Sequence, residues 1–274
     1  MIASITTTKT LLSGWERALL VPPALAGLVL GFLLAFLPGV FAAVTQFPAD
    51  DAYIYQLAGA AILGYGIALS IGLFQQHWLP VRLPVIGVLV NNLGSLYACG
   101  IEISTGHALY SVYLFLATSL LFVAICGLIL ARHWGVPRPE PNFSSRVMQL
   151  FLIVGTVAAG AFGILPLFVP GLFTLFHLHI NAPFIIREAG AASLGYAVVA
   201  VLAQRALNTQ EVRLITVMAA VFNGVGGVVV SIPYLLAGNI LLLPLIIAPV
   251  GIFVMVVCLI VLRQIMTRTA SVNT

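Results

Sequence analysis

Charge is scarce in this sequence, and lysine is almost absent. Only 7% of the 274 residues are charged, 62% are hydrophobic, and Lys9 is the single lysine. Together with a mean hydropathy of +1.17, this composition excludes an ordinary water-soluble domain. Because no lysine falls within a hydrophobic segment, a retinal Schiff base inside the protein is excluded as well.

The motifs of the common enzyme classes are also missing. The sequence has no Walker loop and no HExxH, GxSxG or CxxC pattern. The acidic pair Asp50-Asp51 lacks the second acidic cluster that a two-metal site would need. Basic residues interleaved with aromatics do not occur, so nucleic acid is not an expected partner. These absences favour a non-catalytic protein that requires no cofactor.

Long apolar runs recur along the whole chain. Each is close to the 20 or so residues that an α-helix needs to cross a hydrocarbon core of roughly 30 Å. The runs predict an all-α integral membrane protein with eight spanning helices at about 18–43, 53–74, 83–100, 108–131, 147–168, 183–204, 213–234 and 241–262.

The positive charges fall in every second gap between these segments. Ten of the eleven Lys and Arg residues lie at the amino terminus, in loops two, four and six, or at the carboxyl terminus. The other gaps contain acids and histidines instead. Because cytoplasmic loops retain positive charge, we expect a multi-pass protein of the cell (plasma or inner) membrane with both termini cytoplasmic.

The chain also repeats itself. The stretch Ala58–Tyr65 matches Ala189–Tyr196 at seven of eight positions, and Val81-Arg82-Leu83 matches Val212-Arg213-Leu214 at the same offset of 131 residues. These matches predict two tandem parallel four-helix repeats, at 1–134 and 146–274, joined by a cytoplasmic linker at 135–145. Small-xxx-small pairs, Ala60/Gly64 and Ala191/Gly195, predict that helices two and six meet closely.

Four polar residues inside the predicted spans are candidate ligand-binding positions. Asn92 and Asn223 occupy equivalent places near the middle of helices three and seven. Each amide either bonds to a neighbouring helix or forms part of a polar midplane site, where transporters bind their substrates. Arg187 and Glu188 are the only charge pair within a span, and Glu188 should need a partner inside the bundle.

Histidines on the outer side give a weaker hypothesis. His177 and His179 follow a Pro-Gly-Leu-Phe segment, and His107 begins helix four on the same side. If their loops met, they could ligate a metal or an axial position of haem. The alternative is that all three are solvated residues of the membrane interface.

Two resemblances accompany this interpretation. The pattern Arg-x-x-Gly-x-x-x-x-Gly at Arg187, Gly190 and Gly195 resembles small four-helix bacterial membrane proteins of the DoxX-like type. Two four-helix units in tandem are similar in architecture to quinol-binding membrane subunits of the polysulfide reductase type. Neither resemblance assigns a role to a residue.

Three functional hypotheses therefore stand. The first is a non-catalytic membrane protein, either a subunit of a larger assembly or a binder of a hydrophobic small molecule. Its partners would be the lipid bilayer and other membrane subunits or a second copy. The second is a small-molecule transporter whose cleft between the repeats is lined by Asn92, Asn223 and Glu188. The third is a redox membrane subunit that binds quinone or haem.

Overall fold

The computed structural model describes residues 10–48, 52–137, 146–176, 183–205, 209–238 and 242–272. Within these ranges the protein is helical, and the only β-type pairing is an isolated bridge between Leu11 and His77. Eight helices of the described chain are long and apolar enough to cross a membrane, which indicates a multi-pass membrane protein. They are α1 (Gly14–Phe36), α2 (Ala52–Gly72), α3 (Leu79–Ser104), α4 (Tyr110–Arg132), α5 (Arg146–Phe168), α6 (Pro183–Gln204), α7 (Thr209–Leu236) and α8 (Leu242–Thr267).

The predicted segments coincide with these helices, with one correction. The first helix was expected to run to residue 43, but α1 ends at Phe36 and a separate short helix covers Pro38–Thr45. The break follows from Pro38, because the residue before a proline is driven away from helical geometry and a proline is well suited to the first helical position. After α5, a 3₁₀ helix covers Pro170–Phe176, and it also begins with a proline followed by a glycine.

Helix α7 is not uniform. Its α-helical part ends at Asn223, Gly224–Val230 forms a π-helical segment, and the α-helix resumes at Ser231. The Ser231 hydroxyl donates a hydrogen bond of 2.6 Å to the Gly226 carbonyl, which compensates part of the altered backbone pairing. An ordinary helix was expected here from the sequence.

The helices pack as an inner group with an outer one. The inner helices are α2, α3, α6 and α7, and among them α3 contacts α6 and α2 contacts α7. Each outer helix packs on one inner helix: α1 on α2, α4 on α3, α5 on α6 and α8 on α7. The most buried spans are α2 and α6, at 67% and 61% of their apolar windows, compared with 22% for α4 and for α5. Both hydrophobic cores draw residues from the two halves of the chain, so the halves pack against each other extensively.

The contact between α2 and α6 is closed by small residues and two tyrosines. The Tyr65 hydroxyl donates to the Ala192 carbonyl at 2.7 Å, and the Tyr196 hydroxyl donates to the Ala61 carbonyl at 2.9 Å. The two rings lie 4.7 Å apart between centroids. Each hydroxyl also contacts a glycine of the facing helix, Gly195 or Gly64, where a side chain would not fit. The predicted meeting of helices two and six is confirmed, and Gly64 and Gly195 lie at that contact. The other members of the two small-xxx-small pairs do not lie there, since Ala60 faces α7 and Ala191 faces α3.

Candidate functional site

The main candidate site is an apolar cavity among α5, α6, α7 and α8, here termed the α5–α8 cavity, and Ile54 and Leu57 of α2 complete its lining. Its volume is about 320 Å³. Small residues of α5, including Gly155, leave the space open, since no atom of the described residues lies within 4 Å of the position that a Cβ on Gly155 would take. Residues that line it include Phe151, Ala158 and Phe162 of α5, Ile186 and Ala189 of α6, Met218 and Phe222 of α7, and Ile247 and Val250 of α8.

The cavity opens between α5 and α8. These two helices contact each other sparsely. Val154 of α5 and Ile246 and Val250 of α8 line the cavity, yet each is about two-fifths exposed on the bundle surface. The side chains that border this opening are apolar and belong to helices that are long and apolar enough to span a membrane.

The lining contains very few polar groups. Ser193 of α6 and Asn223 of α7 are two of them, and Tyr196 of α6 is a third. The Tyr196 hydroxyl is occupied by the Ala61 carbonyl, so Tyr196 presents its ring to the cavity, 5.0 Å from the ring of Phe222. Among the described residues, none that lines the cavity is charged. A neutral ligand with a large apolar part therefore suits it best.

The two predicted midplane asparagines have the same local bonding but different surroundings. The Asn92 amide nitrogen donates to the Val88 carbonyl at 2.7 Å, and the Asn223 amide nitrogen donates to the Ala219 carbonyl at 2.8 Å. Both bonds stay within one helix. Asn223 lines the α5–α8 cavity, whereas Asn92 is buried and does not.

Glu188 lies in a buried polar network of α3, α4 and α6. Its Oε1 accepts a hydrogen bond from the Ser95 hydroxyl at 2.7 Å, and the Ser119 hydroxyl donates to the Ser95 oxygen at 3.0 Å. Glu188 is only 7% exposed. Arg187, its neighbour in sequence, points elsewhere and binds Glu102 of α3 at 2.6 Å. Neither Arg187 nor Glu188 lines the α5–α8 cavity.

The histidine hypothesis receives no support from the geometry of the described residues. His107 is exposed at the α3–α4 turn, where its backbone N–H donates to the Glu102 carbonyl. His177 and His179 lie outside the described residues. Within the part of the chain that the structure describes, no group of three His, Cys, Asp or Glu side chains is arranged to hold a metal ion.

A second buried charge cluster was not predicted from the sequence. Glu16, fully buried at the start of α1, lies 2.9 Å from His133 Nε2 and 3.3 Å from Arg132 Nε. The Ser13 hydroxyl and backbone N–H also donate to Glu16, at 2.6 and 2.8 Å. The carboxylate thus lies between the serine and the histidine. Nucleophilic catalysis by a serine requires the histidine to contact the serine hydroxyl directly, so this arrangement is not a catalytic triad. The cluster ties α1 to α4.

Comparison of the chain with protein-family models, with curated proteins and with solved structures finds no match. The function is therefore inferred from the geometry of the chain itself.

Proposed function

We propose that the chain is a non-catalytic multi-pass membrane protein that binds a hydrophobic small molecule in the α5–α8 cavity. The observation that carries this proposal is an apolar space of about 320 Å³ among candidate membrane-spanning helices, and we infer that its opening between α5 and α8 faces lipid. A cavity of this size lies within the range typical of small-molecule sites. The described lining provides no nucleophile–base pair and no charged group for catalysis.

Filling the cavity should abolish binding. We expect Gly155→Leu to weaken the binding of farnesene, a linear apolar probe, by at least about tenfold, because the new side chain would occupy space that is now open. The measurement is a native mass spectrometry titration of the detergent-solubilised protein.

The matched control is Gly127→Leu on α4. Gly127 is also half-buried within a span, and no described atom lies within 4 Å of the position that its Cβ would take, but it is remote from the cavity lining. Gly127→Leu should bind farnesene as the parent does. Equal effects of the two substitutions, or no binding by the parent protein, would contradict the proposed function.

We also infer that the two halves are parallel copies of one four-helix unit. The support is a pair of reciprocal hydrogen bonds, from Tyr65 to the Ala192 carbonyl and from Tyr196 to the Ala61 carbonyl. The two tyrosines are 131 positions apart in the sequence, and so are the two alanines. Beyond Asn223, equivalent residues of the two halves lie 132 positions apart. In the first half Ser95 of α3 contacts Ser119 of α4, and in the second half Gly227 of α7 and Gly251 of α8 approach each other closely at positions 132 residues later. One extra residue is what a π-helical segment accommodates.

The same inference gives the topology, with both termini in the cytoplasm. Arg82 at the start of α3 lies 3.4 Å from Glu211 at the start of α7, which supports an equal orientation of these two helices. The excess of positive charge at this end favours its cytoplasmic location.

Cysteine labelling tests the topology. Phe74→Cys, in the exposed α2–α3 loop, should be protected from a membrane-impermeant maleimide in intact cells, whereas His107→Cys should be labelled. The parent protein is a suitable background because its three cysteines are buried. Labelling of Phe74→Cys without permeabilisation, or protection of His107→Cys, would reverse the proposed orientation.

The transporter alternative gains less from the geometry. The α5–α8 cavity is lined by Asn223 but not by Asn92 or Glu188, so the three residues of the transporter hypothesis do not share it. Between the halves, the α2–α6 contact is filled by Tyr65 and Tyr196.

A further inference from the structure

Two polar side chains of the α5–α8 cavity each lie near the middle of their own membrane-spanning helix. Ser193 is ten residues from the start of α6, or about 15 Å at the helical rise, and this places it near the middle of that span. Asn223 is halfway along α7 and directly precedes the π-helical segment. Such segments occur frequently at functional sites.

The Ser193 hydroxyl differs from the other hydroxyls of the spans. Ser70, Thr156 and Thr216 each donate to the carbonyl four residues earlier, at 2.7 to 2.8 Å. This is the usual bond of a helical hydroxyl in an apolar environment. Within the described chain Ser193 makes no side-chain hydrogen bond, although it is only 8% exposed and lines the cavity. A hydroxyl without a partner in hydrocarbon carries a desolvation cost, so it indicates a partner that binds there.

Asn223 offers the complementary group. Its amide nitrogen is bonded to the Ala219 carbonyl, while its carbonyl oxygen accepts no hydrogen bond from the described residues. The oxygen therefore remains free to accept a hydrogen bond from a ligand, and Ser193 remains free to donate one. Next to them, the rings of Tyr196 and Phe222 provide an apolar wall.

We propose that the cavity binds a neutral, largely hydrocarbon alcohol whose hydroxyl group is recognised by Ser193 and Asn223. The ligand oxygen would accept from Ser193 and its hydrogen would be donated to the Asn223 oxygen, so that all three groups are satisfied. A charged headgroup is disfavoured, since the described lining has no charge to pair with it. This inference rests on the proposed function and adds the chemical class of the ligand.

The test compares farnesol with farnesene, which has the same carbon skeleton without the hydroxyl. By native mass spectrometry titration, the parent protein should bind farnesol about fivefold more tightly than farnesene, the gain expected for one or two net hydrogen bonds. Ser193→Ala with Asn223→Leu should bring this ratio to about one, because farnesol would lose the hydrogen bonds that farnesene never makes. Ser193→Ala alone, a conservative change, should lower the ratio in the same direction.

Asn92→Leu is the matched control, because Asn92 makes the same intrahelical bond as Asn223 but lies outside the cavity lining. It should leave the ratio at its parent value. Equal binding of farnesol and farnesene by the parent, or a ratio that survives the double substitution, would overturn the alcohol-binding inference and leave the cavity function standing. If neither compound binds the parent, the proposed function itself fails.

Discussion

Glu16→Ala is expected to lower the free energy of unfolding by about 2–4 kcal/mol, the combined cost of a lost helix cap and of buried hydrogen-bonding groups left without a partner. Glu16 and His133 are almost completely inaccessible, and one carboxylate accepts from Ser13 and His133. The substitution would remove the capping of α1 and leave the His133 ring nitrogen without its acceptor. His133 cannot easily move away, because its ring is stacked on Trp78 with centroids 4.5 Å apart.

Arg132→Ala is the informative comparison for this prediction. Arg132 contacts the same carboxylate, but 48% of its side chain is exposed. An exposed ion pair contributes only about 0–1 kcal/mol, so Arg132→Ala should be close to neutral. Thermal unfolding in detergent, followed by tryptophan fluorescence, should show a fall of roughly 10 °C for Glu16→Ala and a small one for Arg132→Ala. Similar shifts for the two variants would mean that the buried cluster is not the stabilising element.

Gly195→Leu should prevent the two halves from packing and leave no folded protein. A Cβ at this position would overlap the Tyr65 hydroxyl and lie 2.6 Å from the Gly87 carbonyl oxygen. The tyrosine tip could shift, but the Gly87 backbone belongs to the interior of α3 and cannot. Since helices in lipid associate through close packing and not through hydrophobic burial, the lost contact has no replacement.

The readout for Gly195→Leu is the yield of monodisperse protein in size-exclusion chromatography. Gly100→Leu on α3, where no described atom lies within 4 Å of the added Cβ, should behave as the parent. Gly195→Ala should also lower the yield. Adding Tyr65→Phe removes the hydroxyl that the new Cβ would overlap, but it should recover only part of the loss, because the close contact with the Gly87 carbonyl remains. A normal yield of Gly195→Leu would refute the packing that we describe between α2 and α6.

Much of the fold follows from hydropathy, and its finer details do not. The sixth predicted segment, 183–204, coincides with α6. Its start is indicated both by the apolar run and by Pro183, since proline is well suited to the first helical position. The break at Leu37 falls inside the first predicted span, because the apolar run continues on both sides of Pro38, although the Pro-Gly-Val-Phe sequence that begins there is itself typical of a short interfacial segment. The π-helical segment was missed because Gly224, Gly226 and Gly227 indicate a tight contact equally well.

The candidate site was less accessible to sequence reasoning. The position of Asn223 near the middle of its span predicts a place in a ligand-binding site, and Asn223 does line the cavity. Nothing in the sequence distinguishes Ser193, because a single serine in a helix usually bonds to its own backbone. The cavity itself depends on the distance between α5 and α8, which no local pattern encodes. Glu16 was missed because the first helix was expected to begin after it, although Ser13 and Glu16 form the spacing of a capping box.

The reciprocal tyrosine bonds between α2 and α6 restrict how a guest molecule can enter and leave. A rocking movement of one half against the other would have to break both bonds together, and would leave two hydroxyls and two carbonyls without partners in hydrocarbon. Alternating exposure of the interior to the two aqueous phases is thereby disfavoured. Exchange through local separation of α5 from α8 breaks neither bond, so its rate should follow the fluidity of the surrounding lipid.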